Sequence, residues 1–444
     1  MLNLALAVMV FTAGVGILQM ELGAFGPDIG YTGSPNGATL AYAFHAAFLY
    51  AGYLVTCRIF NRRPAGPGAP QGLPGELSQA NASLTAAQSV RSFQKLAYLS
   101  AGLQIAILLT VMYGLGAIDV LMLRMGRGDF RVSFGRLGPV AYLLRDFLSP
   151  TLGALVAAVY VLRKRTDFES RALLGLNLGI VSACAFLWGY RTSAVYYLIP
   201  SFLLLFPVLD WKRALLFIAS ASILIVLSQA YLGEVGMEES AVSMMDRATV
   251  GSGNSAWKIW DIYQNNEEFP PYWPTLTACL GNNIASGLGL SARGEDRWFY
   301  QNYPALATWV VKDYALGLNA QTSNVSTTSF GGGVIALGSP GYLLFSLFSG
   351  VVAALNRVCL ERKFLRRKLS ATAAAANFFT AATLPFVNSG DFATILGVWI
   401  LINGSFTYVV CRLLIRWSGV EQQQGDERRV SPEAARSAPV QDLT

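Results

Sequence analysis

Histidine is almost missing from this chain, with one, His45, among 444 residues. A single imidazole in the middle of an apolar run gives no His-based metal site and no Ser/His/Asp arrangement on a solvent face. Charge is scarce as well: 13% of residues are charged, against about one quarter in soluble domains. No Walker-type phosphate loop and no dinucleotide fingerprint occurs, so neither ATP hydrolysis nor a nicotinamide cofactor is indicated, and neither cofactor nor metal is expected. Of the five cysteines, Cys57, Cys184, Cys359 and Cys411 fall in apolar runs or at their ends. Cys279 stands alone in a polar loop, which leaves it no disulfide partner on that side. There is also no internal repeat of the kind that marks many transporters.

What the chain has is apolar length. It is 53% hydrophobic with a mean hydropathy of +0.43, and about 20 apolar residues suffice to cross a hydrocarbon core about 30 Å thick. Ten runs meet or approach this: 2–19, 38–56, 96–115, 147–162, 172–188, 194–208, 214–232, 334–355, 370–387 and 393–410. The first lacks a positive leader and a small-residue cleavage site, so it reads as a retained, start-transfer helix. With the N-terminus inside, the inner segments hold 22 of the 33 cations, leaving the inside net +12 and the outside net −5. That bias repeats at every span and sets a topology with both ends inside. The expectation is an all-α polytopic membrane protein with about ten transmembrane helices and a large, partly helical extracytoplasmic loop. For such a protein the formal charge of +7 speaks of topology and not of nucleic acid.

The domain plan follows from these runs. Residues 1–63 carry helices 1 and 2, and 64–94 form an inner loop whose Pro, Gly, Ser and Ala content predicts disorder. Residues 95–233 carry helices 3–7 with a basic outer loop at 116–146. Residues 234–333 form the large outer loop, 334–416 carry helices 8–10, and 417–444 form a polar tail expected to be disordered. The large loop contains SAWKIWDIY and DRWFYQNYPALATWVVKDY, aromatic and helical in pattern, so an ordered cap on the membrane face is expected.

Positive charge on the outer side runs against the topological trend and raises the question of which anion it meets. Arg124, Arg127, Arg131 and Arg136 in the basic loop are substrate-binding candidates; the plain alternative is a solvated loop near lipid headgroups. Arg191, in GYRTS (189–193), sits at the outer boundary between two apolar runs. It either pairs with Asp119, Asp129 or Asp146 or reaches a substrate anion. In the large loop, Asp246 and Arg247 precede the aromatic helix holding Trp257, Lys258 and Trp260. Arg293, Glu295, Asp296 and Arg297 make a dense charged knot, each of which reads as solvated surface unless the fold brings it to a cleft, where Arg293, Glu295 and Arg297 would be substrate-binding candidates. Asn324 and Thr327, in TSNVSTTSFGGG, offer hydrogen bonds to sugar hydroxyls, or else cap a helix or form a re-entrant turn. Trp257, Trp260, Trp298, Phe299 and Tyr300 suit stacking on sugar faces, although packing of loop on membrane is the commoner use of such residues. His45, mid-span, reads as a hydrogen-bonded core residue before it reads as a proton relay.

Over residues 95–410 the order of these features resembles the Wzy-type O-antigen and exopolysaccharide repeat-unit polymerases of bacteria, within the O-antigen polymerase and ligase superfamily. GYRTS is similar to the family's glycine-arginine turn, and residues 323–350 are similar to the segment that closes its large loop. The resemblance implies a GT-C-like membrane glycosyltransferase in the bacterial inner membrane, with both termini cytoplasmic and the active site facing the periplasm. Its partners would be undecaprenyl-pyrophosphate-linked oligosaccharides and membrane lipids, with a chain-length regulator as a further candidate, and no nucleic acid. Arg191 and Arg247 would steady the pyrophosphate leaving group, and Asp246, Glu295 or Asp296 would serve as base. Ligases of the superfamily carry a histidine late in the large loop, where this chain has none around Asn324. That favours a polymerase, with a ligase-type transferase and a polysaccharide transporter or flippase as the alternatives.

Overall fold

The computed structural model describes residues 2–26, 31–61, 79–122, 124, 130, 137–162, 167–187, 197–205, 250–265, 328–365, 368–389, 395 and 397–420. In chain order these form α1 (Leu2–Glu21), a strand pair β1 (Phe25–Gly26) and β2 (Tyr31–Thr32), α2 (Ala38–Asn61), α3 (Gln79–Leu109), α4 (Ala117–Leu121), α5 (Gly138–Tyr142), α6 (Ser149–Leu162), α7 (Phe168–Leu187) and α8 (Ile199–Leu205). They continue with α9 (Val250–Asn265), α10 (Ser329–Leu365), α11 (Leu369–Phe378), α12 (Leu384–Ser389) and α13 (Val398–Ser418). Wider π-helical turns at Thr110–Gly114, Leu143–Leu148 and Phe379–Thr383 extend α3, lead into α6 and join α11 to α12.

Helix α2 shows which solvent selected these residues. Ala41, Tyr42, His45, Leu49, Tyr53 and Thr56 recur every three or four positions and are buried, so they form one face. Leu40, Phe44, Phe48, Val55 and Ile59 form the opposite, exposed face. The polarity is reversed from that of a soluble helix: His45 is 1% exposed and Phe44 beside it is 51% exposed. In water this would leave a large greasy surface; in a bilayer it puts the apolar side chains in lipid and the polar ones where the protein satisfies them. Six helical stretches among the described residues are long and apolar enough to cross a membrane: Ala38–Phe60, Val90–Gly114, Val140–Leu162, Phe168–Leu187, Ser329–Phe364 and Ile400–Ser418. The protein is thus an all-α polytopic membrane protein by length and composition.

Of the other four expected runs, 2–19 is helical as α1, and 370–387 is helical through α11, the π-turn and α12. The run 194–208 is helical over Ile199–Leu205, and 214–232 lies outside the described residues. Two differences from expectation stand out. Disorder was expected up to residue 94, yet α3 begins at Gln79. The reason is local: no glycine or proline falls between residues 76 and 101, and alanine, glutamine, arginine and lysine favour the helix. The antiparallel pairing of Phe25 with Thr32 and Gly26 with Tyr31 is a small exception to an all-helical reading.

The chain divides into two compact units. In the first (Met1–Pro64, Phe206–Arg362 and Ala375–Ser405), α9 packs chiefly on α1, and α1 on α2. The approach of α9 is close: a Cβ on Gly253 would stand 2.3 Å from the Ile17 nitrogen and 2.7 Å from the Ala13 oxygen. Helices α2 and α10 also touch backbone to backbone, since a Cβ on Gly52 would meet the Leu347 oxygen at 2.3 Å and one on Gly350 the Leu49 oxygen at 2.0 Å. Small residues at crossings are the means by which membrane helices gain dispersion contact and backbone proximity.

In the second unit (Ala65–Leu205, Lys363–Ala374 and Phe406–Thr444), α6 is the central helix, buried from Ser149 to Val159 and flanked by α3, α7 and α8. A polar tie crosses from α3 to α7. Gln104 donates to Asn177 Oδ1 at 3.2 Å, and Asn177 donates to the carbonyls of Leu173 at 2.9 Å and Ala97 at 3.2 Å.

Replacing Gly253 with leucine is expected to lift α9 from α1, at the roughly 1–3 kcal/mol typical of overpacking. Thermal unfolding of the detergent-solubilised protein would show a lowered midpoint, and an unchanged midpoint would contradict the close contact.

Candidate functional site

Within the expected loop of 234–333 the structure describes α9 and residues 328–333, and the side chains of α9 decide how this segment meets its neighbouring helices. Trp257 and Trp260 are buried, and each uses its indole N–H on the segment ahead of α2: Trp257 donates to the Ser34 carbonyl at 3.2 Å and Trp260 to the Asn36 carbonyl at 3.1 Å. Trp260 also lies against Phe330 and Tyr342 of α10, with ring centroids 5.6 and 5.7 Å away. A buried tryptophan with its N–H satisfied is an anchor. For these two, packing is the role observed; Trp298, Phe299 and Tyr300 lie outside the described residues.

Lys258 is buried on the same helix. Its ammonium donates to Asp261 Oδ2 at 2.8 Å and lies 4.1 Å from the centroid of Tyr31, so an ion pair and an aromatic face replace its water. Asp261 accepts in addition from Asn265 at 2.9 Å. Near the start of α9, Asn254 differs from its neighbours: it is wholly buried, and among the described residues neither its Nδ2 nor its Oδ1 has a hydrogen-bond partner. At its far end, the Tyr263 hydroxyl accepts from the Ser339 N–H at 2.8 Å.

That last contact marks a break in α10. Gly338 has φ of 63°, and Gly338 and Ser339 both leave helical geometry, so the helix is two pieces meeting at GSPGY. Glycine tolerates the left-handed conformation that a side chain resists. Upstream, the Gly331 and Gly332 N–H groups turn back toward the Thr328 hydroxyl and carbonyl, so the described end of the serine/threonine stretch caps a helix. Between these points His45 is held from two sides. Its Nδ1 lies 2.6 Å from Ser346 Oγ and its Nε2 3.2 Å from Ser329 Oγ. The Ser346 hydroxyl donates to the Tyr342 carbonyl at 2.7 Å, so its proton is used. Nδ1–H is therefore the donor to Ser346, and Nε2 accepts from Ser329. With Tyr42 and Phe330 as ring neighbours, this is the hydrogen-bonded core histidine expected from sequence. The serines that serve it were not identified from sequence, since they lie far along the chain.

Below α9, the carboxylate of Glu21 accepts from the N–H groups of Asn36 and Thr39, both at 3.2 Å. It thereby sits at the N-terminus of α2, where the helix dipole favours an anion. Burial works against the charge, but the Thr39 side chain and the backbone N–H groups of Asn36, Thr39 and Gly37 outweigh it, so the Glu21 pKa lies below its ordinary value.

The second unit holds its own charged cluster. Arg145 grips Asp146 through two nitrogens, at 2.6 and 2.8 Å, and lies 4.6 Å from the centroid of Tyr142, while Tyr197 donates a short hydrogen bond to Asp146. Asp146, one of the three acids proposed as a partner for Arg191, already has a cation and a phenol on it. Arg124 is 75% exposed and reaches Asp119 only at 4.0 Å, a weak solvent pair that fits the plain reading of the basic loop. Arg127, Arg131, Arg136, Arg191, Asp246, Arg247, Arg293, Glu295, Asp296, Arg297, Asn324 and Thr327 lie outside the described residues. No family model, curated protein or solved structure matches the chain.

Two outcomes are expected here. Lys258→Met leaves the Asp261 charge half-compensated among buried side chains, which costs about 3 kcal/mol, whereas Lys258→Met with Asp261→Leu recovers most of the loss. A double-mutant cycle on thermal stability checks this, and additive losses would count against a coupled pair. For Glu21, the folded pKa lies below its unfolded value of about 4.5. Its stabilisation is thus present above that pH and is lost as pH falls through the folded value. Glu21→Gln should remove this segment of the acid dependence of unfolding.

Proposed function

We propose that the chain is a membrane glycosyltransferase that polymerises lipid-linked glycan repeats. A hydroxyl of the incoming repeat attacks the anomeric carbon of the growing glycan, the new glycosidic C–O bond forms, and the bond to undecaprenyl pyrophosphate breaks. The hydroxyl proton passes to a carboxylate, Asp246, Glu295 or Asp296. Arg191 and Arg247 neutralise the charge that develops on the departing pyrophosphate. In this reading ten helices span the bacterial inner membrane with both termini cytoplasmic, and the loop of 234–333 forms a GT-C-like periplasmic cap over the reaction. Product leaves with one more repeat, and the freed lipid carrier diffuses away in the bilayer.

The observation that carries the reading is at the head of α9. This helix follows Asp246 and Arg247 in sequence by a few residues, packs on α1 at Gly253 and on α10 through Trp260, and holds near its start the unmet amide of Asn254. A packed helix close in sequence to the proposed catalytic side chains suits the positioning that the chemistry requires. An amide with both a donor and an acceptor unused also suits a hydroxylated ligand. A second reading, a polysaccharide transporter, draws on the break in α10 at Gly338 and Ser339, because interrupted helices mark many transporter sites.

Arg191→Ala and Arg247→Ala, expressed in a strain deleted for the gene, are expected to cut high-molecular-weight polysaccharide at least ~100-fold while the protein still inserts at normal level. Polymer of normal length from both variants would sink the polymerase reading. Loss of lipid-linked repeats from the outer face, with polymerising activity intact, would establish the transporter instead.

A further inference from the structure

The second unit carries an open groove of about 780 Å³ between α3 and the end of α13, lined by Arg91, Lys95, Tyr98, Gly102, Leu414 and Trp417 among others. We propose that it is a binding site for one anionic phospholipid of the surrounding bilayer, with an acyl chain in the groove and the phosphate at Arg91 and Lys95. This inference does not depend on the glycan chemistry above.

The placement of the lining residues carries the argument. Positions 91, 95, 98 and 102 follow one another at helical spacing, so they make a single stripe along α3. The spanning part of α3 starts at Val90 and that of α13 finishes at Ser418. Arg91, Lys95 and Trp417 therefore stand at the ends of two spans, where cations and amphipathic rings meet headgroups. From Arg91 to the lining residue Leu103 the helix rises about 18 Å, close to the roughly 15 Å depth of one leaflet. The floor is open at Gly102, where an added Cβ would meet nothing within 4 Å. Leu414 is buried and forms the apolar wall, while Tyr98 and Trp417 are exposed toward lipid.

The chemistry at the mouth selects charge. Among the described residues, two cations and no carboxylate line the groove. A zwitterionic headgroup would bring its own ammonium against them. A phosphate diester bearing net negative charge meets no such repulsion and accepts from both Arg91 and Lys95.

The test is native mass spectrometry of the full chain purified in detergent and equilibrated with equal amounts of dioleoyl phosphatidylglycerol and dioleoyl phosphatidylcholine. The wild type should retain the glycerol lipid at least about tenfold over the choline lipid. Arg91→Gln with Lys95→Gln should bring the two to parity, whereas Gly102→Leu should lower both by obstructing the chain, and Arg58→Gln, an exposed cation on α2, should change nothing. Equal retention of the two lipids by the wild type would overturn the proposal. So would a selectivity that survives the Arg91 and Lys95 substitutions, or one lost equally in Arg58→Gln. Displacement of the bound glycerol lipid by an equimolar polyisoprenyl phosphate would also overturn it, since the groove would then belong to a lipid carrier and not to bulk phospholipid.

Discussion

The contact on which the first unit depends is the one between α9 and α1, where Gly253 leaves no room for a Cβ against Ala13 and Ile17. Because the backbones meet there, the next turns of α9 can drive Trp257 and Trp260 into a core shared with α1, α2 and α10. Their indole N–H groups then fasten the segment ahead of α2. Glu21 caps α2 from the end of α1, and Tyr263 reaches the break in α10. A polar, glycine-rich loop helix thereby becomes part of the helical core. The reason is geometric: dispersion attraction between helices falls steeply with distance, and only a glycine lets this pair close to contact.

A second constraint runs through both units. In lipid a polar side chain has no water to return to, so each one turned inward needs a partner or bears the cost of lacking one. His45 meets this with two serines, Gln104 and Asn177 with each other and with carbonyls, Lys258 with Asp261, and Arg145 with Asp146 and Tyr197. Not every buried polar atom is met: Gln104 Oε1, Asn356 Oδ1 and the Ser201 hydroxyl have no hydrogen-bond partner among the described residues, and Asn254 lacks one on both its Nδ2 and its Oδ1.

Charge is handled differently at the two kinds of boundary. Arg145 is neutralised within the protein, and Arg124 remains in solvent with a distant acid, so neither has a demand left for an outside anion comparable to that of Arg91 and Lys95. Those two share a groove that no acid lines among the described residues. The same residue type therefore serves as structural glue, solvated surface or lipid contact according to what its neighbours supply.

By itself the sequence determined the class of the protein, its helical content and the solvent it lives in, because hydropathy is a sum over neighbouring residues and a bilayer reads that sum directly. Most described helices fall on the apolar runs, and a helix cap was one of the readings that the serine/threonine stretch offered, whereas the break at GSPGY was not read, since the expected run 334–355 passes straight through it. Tertiary structure alone decided which polar residues meet. His45 and Ser346 are 301 positions apart, and Trp257 lies 223 from the carbonyl it holds. No local pattern encodes such pairs, since they depend on which helix faces which. The same holds for Trp257 and Trp260, for which the sequence left open sugar platforms as well as the commoner packing role. Only the arrival of α1, α2 and α10 around them, permitted by a missing Cβ at Gly253, made them anchors.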